Sequence, residues 1–224
     1  MSLPSPQAIE QPRTEARPSQ GAADARTHDR PLPAMEAGRP AASGLRRYLQ
    51  KMRGTTRGSP PRVSNIEVLW SWVGALLGVG AVAMASRFVL TGVDHGLMIG
   101  SLGASAVLVF GAPRSPLAQP RNLVGGHVLS ALVGVLCYQW VGGPEGLSAA
   151  VAVATAIALM HLTRTLHPPG GATALIAVVG SEQIHDLGLL YAAAPAGVGA
   201  LILLVVGLLV NNLPTGRRYP ELWW

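Results

Sequence analysis

Charge is scarce in this chain. Of its 224 residues only 12% are Asp, Glu, Lys or Arg, while 49% are hydrophobic. Soluble domains carry about 25% charged residues, so the deficit points to an integral membrane protein. Cysteine is limited to Cys137. One thiol excludes an intrachain disulfide framework and a Cys-rich metal site, and its apolar surroundings make it a small core residue. The basic residues are not interleaved with aromatics in any recognisable module, which argues against nucleic-acid binding. No nucleophile elbow, Walker loop, paired carboxylates or zinc-type histidine pair is present. These absences leave no basis for an enzyme, a cofactor or nucleotide-driven transport.

The formal charge of +6 is unevenly spread, since 11 of the 17 Lys and Arg residues precede Asn65. Residues 1–63 are rich in Pro, Arg, Ala, Ser and Gly and show almost no apolar periodicity. Such a composition buries too little surface to offset ordering entropy, so a disordered basic tail is expected. No apolar stretch of signal-peptide type follows the start, and Glu10, Glu15, Asp24, Asp29 and Glu36 argue against a transit peptide. Residues 45–53 read either as a short amphipathic helix on an anionic leaflet or as a solvated basic linker. Either way, the cluster puts this end of the chain in the cytoplasm.

Beyond the tail lie six apolar segments, at about 66–87, 95–111, 122–141, 147–164, 170–181 and 187–211. A crossing needs roughly 20 residues, so the second and fifth are short. Glycines four apart mark close packing at Gly74 and Gly78, and at Gly92, Gly96 and Gly100. Gly126, Ser130 and Gly134 share a face of the third. The expected fold is all-α, a polytopic helical membrane bundle, with residues 64–214 as its transmembrane domain and 215–224 as a short cytoplasmic C-terminal tail.

The stretch that organises these segments is Thr163-Arg164-Thr165-Leu166-His167-Pro168-Pro169-Gly170-Gly171-Ala172-Thr173-Ala174-Leu175. Neither proline can continue a preceding helix, so one helix stops near Arg164, the chain turns through Pro-Pro-Gly-Gly, and another helix starts as helix formers resume at Ala172. At membrane depth such a start would present unpaired N–H groups and a positive dipole end, a setting for an anion. Gly103-Ala104-Ser105-Ala106-Val107-Leu108 resembles Gly171-Ala172-Thr173-Ala174-Leu175-Ile176. The segments therefore read as two three-segment repeats, 66–141 and 147–211. Paired interrupted segments at corresponding places point to a transporter's binding site.

With the tail inside, Arg114, Arg121, Arg164, Arg217 and Arg218 fall on the cytoplasmic side. Asp94, Glu145, Glu182 and Asp186 fall opposite, and Arg87 is the exception. Six crossings place both termini in the cytoplasm and invert the repeats. Re-entrant short segments would instead leave four crossings and parallel repeats.

Residues 162–175 resemble the core of the HPP family, named for its His-Pro-Pro. Residues 103–108 and 111–122, Gly125-Gly126-His127 and Asn211-Asn212-Leu213 are also similar to that family, so the resemblance covers about 66–224. The resemblance implies an integral membrane protein, usually described with four helices, and a link to nitrite transport in plastid and cyanobacterial relatives.

The expected substrate-binding residues are Arg164, His167, Gly170, Gly171, Thr173, Gly103 and Ser105. His167 is read as an anion donor or proton carrier, or as a cap on the preceding helix. Arg164 either pairs with the anion or snorkels to the interface. The glycines and Thr173 offer donors at the helix start, or simply form the turn. Ser101 lies a turn before Ser105. His127 and His161 sit inside long segments and are too far apart in sequence for a strong metal motif. Asn211-Asn212 reads as a helix stop. Apart from Glu67 at an edge, the segments hold no acidic residue, which favours anions over cations. The expected partners are the lipid bilayer, a small inorganic anion and, given the Gly-rich faces, a second copy of the chain. The expected setting is a bacterial inner membrane. The rival is a scaffold or sensor that docks a partner through its basic tail.

Overall fold

The computed structural model describes residues 44–52 and 61–224. The chain divides into two units, residues 1–60 and 61–224. The disorder expected of residues 1–43 and 53–60 falls outside the described residues. In the first unit, helix α1 spans Gly44–Lys51. Leu45, Tyr48, Leu49 and Met52 recur at helical spacing and all are exposed. The segment is thus helical, with its apolar side chains at amphipathic spacing.

In the second unit, α2 (Asn65–Ser86) starts at an N-cap serine, where Ser64 Oγ accepts the Glu67 N–H at 3.2 Å. Helix α3 (Gly92–Ala106) runs on through a π-helical turn, Val107–Gly111, and stops before Pro113. A 3₁₀ turn, Pro116–Ala118, leads into α4 (Pro120–Trp140), with proline at its first position, where no N–H is needed. Gly142 and Gly143, with φ of 63° and 80°, reverse the chain into α5 (Glu145–Leu162). Then follow α6 (Pro168–Val179), α7 (Glu182–Leu187) and a wide turn, Ala192–Gly197, that opens α8 (Val198–Asn211).

Among the described residues, five helices are long and apolar enough to cross a membrane: Asn65–Ser86, Gly92–Gly111, Pro120–Trp140, Glu145–Leu162 and Ala192–Asn211. The second segment is therefore not short, because it begins at Gly92 and keeps its helix through the π turn. Its earlier start also draws in Asp94, which is buried. The segments are thus not free of acidic residues beyond Glu67. Asp94 accepts the Ser181 N–H at 3.0 Å and the Ser181 hydroxyl, tying the start of α7 to the start of α3.

Only α6 is short. Its 12 residues span about 18 Å. Its ends are nonetheless tied to points well separated along α3, through His167 on Ser105 and Ser181 on Asp94. Helix α6 and the turn after it therefore run antiparallel along α3 and do not double back as a re-entrant segment would.

Helix α2 packs on α3 and α8, and α5 packs on α6 and α4. The third helix of each half thus lies against the first helix of the other half. Exchanging the halves leaves this pattern unchanged, as two three-helix repeats related by a two-fold axis require. The largest cluster of buried side chains gathers α2, α3, α4 and α8 around Phe110, Met98, Leu102 and Leu203. A Cβ on Gly78 would lie 2.6 Å from Phe110, so the α2 glycines admit that ring. Gly96 and Gly100 differ, with nothing within 4 Å of an added Cβ.

The C-terminal segment packs against the rest of the second unit. Arg217 is buried, with Nε 2.8 Å from Glu67 Oε1. Its other nitrogens donate to Asn211 Oδ1 (2.9 Å), the Glu67 carbonyl (2.9 Å) and Ser71 Oγ (2.7 Å). Asn211 in turn donates to the Val109 carbonyl at 2.9 Å, so it bridges two helices and does more than end one. Tyr219 is buried and donates to the Ala118 carbonyl at 2.8 Å. Gln119 Oε1 accepts the Glu221 N–H at 2.9 Å. The segment after α8 thereby holds the turn between α3 and α4.

Candidate functional site

The helix break at His167-Pro168-Pro169 brings one imidazole to the seam between the halves. Gly126 on α4 permits the approach, since a Cβ there would lie 2.5 Å from His167 Cβ and 3.0 Å from the Thr165 carbonyl. Gly134 does the same farther along, where an added Cβ would lie 2.5 Å from the Ala174 carbonyl. Asn122 donates to the Leu166 carbonyl at 2.8 Å and fixes the entry to α6. The expected face of Gly126, Ser130 and Gly134 is the face that receives α6.

His167 Nδ1 lies 2.8 Å from the Leu117 carbonyl, so this nitrogen carries a proton. Its Nε2 lies 2.8 Å from Ser105 Oγ. The same hydroxyl lies 2.7 Å from His127 Nε2. His127 Nδ1 lies 2.7 Å from Thr173 Oγ1, which is 2.8 Å from Ser101 Oγ. Ser101 also reaches the Pro169 carbonyl at 3.1 Å. Five polar side chains from α3, α4 and α6 and the residue just before it thus form one unbroken chain. Each is fully buried or nearly so. The two imidazoles are 5.0 Å apart between centroids and tilted by 58°. Tyr191 adds a bond from its hydroxyl to the Thr173 carbonyl at 3.0 Å.

Of the residues singled out from sequence, His167, Ser105 and Thr173 meet here. Gly170 packs beside them, where a Cβ would lie 2.9 Å from both the Gly126 carbonyl and Ser130 Oγ. Gly171 lies against Val153. Gly103 is half-buried and faces open space. Arg164 is exposed, in the left-handed region at φ 58°, and stands outside the centre. It lines a small cavity of about 110 Å³ with Arg121, Asn122, Gln119 and the C-terminal tryptophans. Arg121 donates to the Thr163 carbonyl at 2.6 Å.

The expected row of free N–H groups at the start of α6 is reduced. Pro168 and Pro169 have none, and the Gly170 N–H is bonded to the His167 carbonyl at 2.8 Å. The dipole end remains, but the polar groups of the centre are side chains. His127 and Ser101 complete the centre, although neither stood among the expected binding residues. The signal for His127 was its place one residue from Gly126, on a face already marked by small residues. His161 lies exposed on α5, away from His127.

The second unit is similar to known membrane proteins. The HPP transmembrane-region family pattern matches residues 60–220. The chain is 42% identical over 180 residues to one transmembrane protein of Dictyostelium discoideum, covering 79% of this chain and 57% of that one. It is 41% identical over 181 residues to a second from the same organism, covering 79% and 63%. The chain thus spans about three fifths of the length of these relatives. No solved structure matches. The family match takes in the second unit almost whole, including the His-Pro-Pro break and the glycines that admit His167: the chain belongs to the HPP transmembrane family.

Proposed function

We propose that this membrane protein is a transporter that passes a small monovalent anion, with nitrite as the substrate suggested by the family resemblance. The observation that carries the reading is the fully buried chain Ser101–Thr173–His127–Ser105–His167 at the seam of the two repeats. Polar groups in a bilayer interior are costly, and apolar packing would hold the helices at lower cost. Ionisable groups kept there, drawn from both halves, suit a pathway better than a scaffold. The centre offers donors and no carboxylate, since Asp94 is engaged with Ser181.

In this reading His167, protonated at Nε2 as well as Nδ1, is the principal anion donor. Ser105 and Thr173 supply hydroxyls, and the start of α6 adds the positive end of its dipole. Gly170 and Gly171 keep the backbone close to the anion, and Gly103 leaves room on the lipid side of α3. Arg164 and Arg121 form a positive mouth, on the side we take as cytoplasmic, and raise the local anion concentration. Ser105 Oγ sits between the imidazoles, so entry requires its hydroxyl to leave His167. We place the protein in a bacterial inner membrane with both termini inside, and read its role as transport rather than catalysis.

The test is anion uptake by proteoliposomes holding the purified protein, with nitrite, nitrate, formate and chloride compared. The reading expects uptake of nitrite well above protein-free vesicles and above the other anions. Equal uptake of all four anions, or of none, would contradict it.

A further inference from the structure

The buried chain of five side chains has two complete hydrogen-bonding patterns that differ by a single proton. In the neutral pattern His167 donates from Nδ1 to the Leu117 carbonyl, so its Nε2 must accept from Ser105. Ser105 then accepts from His127 Nε2–H, which leaves His127 Nδ1 to accept from Thr173. Thr173 accepts from Ser101. Every donor points one way, towards His167.

One added proton reverses the whole set. Ser101 takes the proton and turns to donate to the Pro169 carbonyl, 3.1 Å away, while its former proton passes to Thr173. Thr173 passes its own to His127 Nδ1. His127 releases the proton on Nε2 to Ser105, and Ser105 hands its proton to His167 Nε2. Each group between the ends gains one proton and loses one. The sum is one proton taken from water and one positive charge on His167, both of whose nitrogens then donate. No donor lacks an acceptor in either pattern. Ser105 has one alternative acceptor, the Ser101 carbonyl, at a weaker 3.4 Å.

We propose that this centre is a proton relay in which His127 changes tautomer and His167 stores the proton. Resting on the anion reading given above, each passing anion is accompanied by one proton. The physical cause of the coupling is burial. A lone positive charge in this interior is strongly disfavoured, and an anion at His167 cancels it. Among the described residues, the groups facing the centre supply no fixed countercharge. Helix α3 contributes Ser101 and Ser105, α4 contributes His127 and Ser130, α5 contributes Met160 on Ser130, and α6 contributes Thr173. The turn before α4 contributes the Leu117 carbonyl, and the turn before α8 contributes Tyr191, whose hydroxyl is bonded to a carbonyl. Asp94 lies towards the other end of α3.

The experiment is ¹⁵N NMR of the full chain with labelled histidine in lipid nanodiscs, titrated towards acid while the fold persists. The expected result is that His127 moves its N–H from Nε2 to Nδ1, and stays singly protonated, in step with His167 gaining a second proton. In Thr173→Val, of similar shape but without the hydroxyl, the tautomer change should vanish while the melting curve shows a folded protein. An unchanged His127 tautomer while His167 charges, two charged imidazoles, two imidazoles that stay neutral, or an unaltered switch in Thr173→Val would each overturn the relay. Nitrite uptake without the switch would remove the relay and leave the anion reading. The switch without uptake of any anion would do the reverse.

Discussion

Ser105 and Thr173, at equivalent places in the two repeats, bond to opposite nitrogens of one imidazole, that of His127, at 2.7 Å each. The internal similarity in sequence thus converges on a single side chain at the seam. Inverted repeats place their binding sites at such a seam. The following expectations rest on that arrangement and on the segment that braces it.

Gly126→Ala should loosen the contact of α4 with α6. The new Cβ would meet His167 Cβ at 2.5 Å and the Thr165 carbonyl at 3.0 Å, neither of them the end of a flexible chain. A loss of about 1–3 kcal/mol is expected from overpacking. Gly96→Ala and Gly100→Ala, with nothing within 4 Å, should stay within about 0.5 kcal/mol of wild type. Unfolding in detergent measures all three, and equal effects would sink the close-approach argument.

Arg217→Ala should destabilise far more than Arg218→Ala. The first removes one partner of an ion pair and leaves Asn211 Oδ1 and Ser71 Oγ short of a donor. Glu67 is one-third exposed, so water compensates part of the loss. A cost of about 1–3 kcal/mol is expected, against about 0.5 kcal/mol or less for the exposed Arg218. The same unfolding measurement decides it.

Tyr219 supplies a pH test. Burial pushes its phenol above the usual tyrosine range. The folded state therefore holds this proton more tightly than the unfolded state does. Its contribution to stability is fully present below the unfolded value of about 10 and is lost as pH rises beyond that value towards the folded one. Above pH about 10 wild type should lose up to about 1.4 kcal/mol more per pH unit than Tyr219→Phe. At neutral pH the variant should itself be weaker by about 1 kcal/mol, from the lost bond to the Ala118 carbonyl. Parallel alkaline stability curves for the two proteins would contradict this.

Removal of residues 1–60 should leave anion uptake intact, because the centre is built wholly from the second unit. Loss of uptake in a folded, reconstituted truncation would favour the reading in which the basic tail docks a partner.

Much of this was legible in the sequence. Apolar length and the two prolines after His167 marked the helices and the break, and small residues marked the face of α4 that receives α6. Glycine spacing misled at Gly96 and Gly100, because spacing reports a face without saying what lies against it. The start of α3 was missed since Asp94 read as a loop charge, whereas its carboxylate is buried to hold Ser181. Arg217 looked like an orientation signal beside Arg218, and only the fold brings Glu67 to it. His127 was underrated for the same reason. A lone histidine in an apolar segment acquires meaning from partners far away in sequence.

The most direct test of the central claim is nitrite uptake by proteoliposomes holding wild type, His167→Ala or Arg164→Ala at equal reconstitution. The account predicts that His167→Ala lowers uptake by about tenfold or more, a barrier change of about 1.4 kcal/mol, while its melting curve still shows a folded protein. Arg164→Ala, altering only the mouth, should lower uptake less and lose part of its effect in high salt. Wild-type uptake by folded His167→Ala would contradict the claim that the anion passes through this centre.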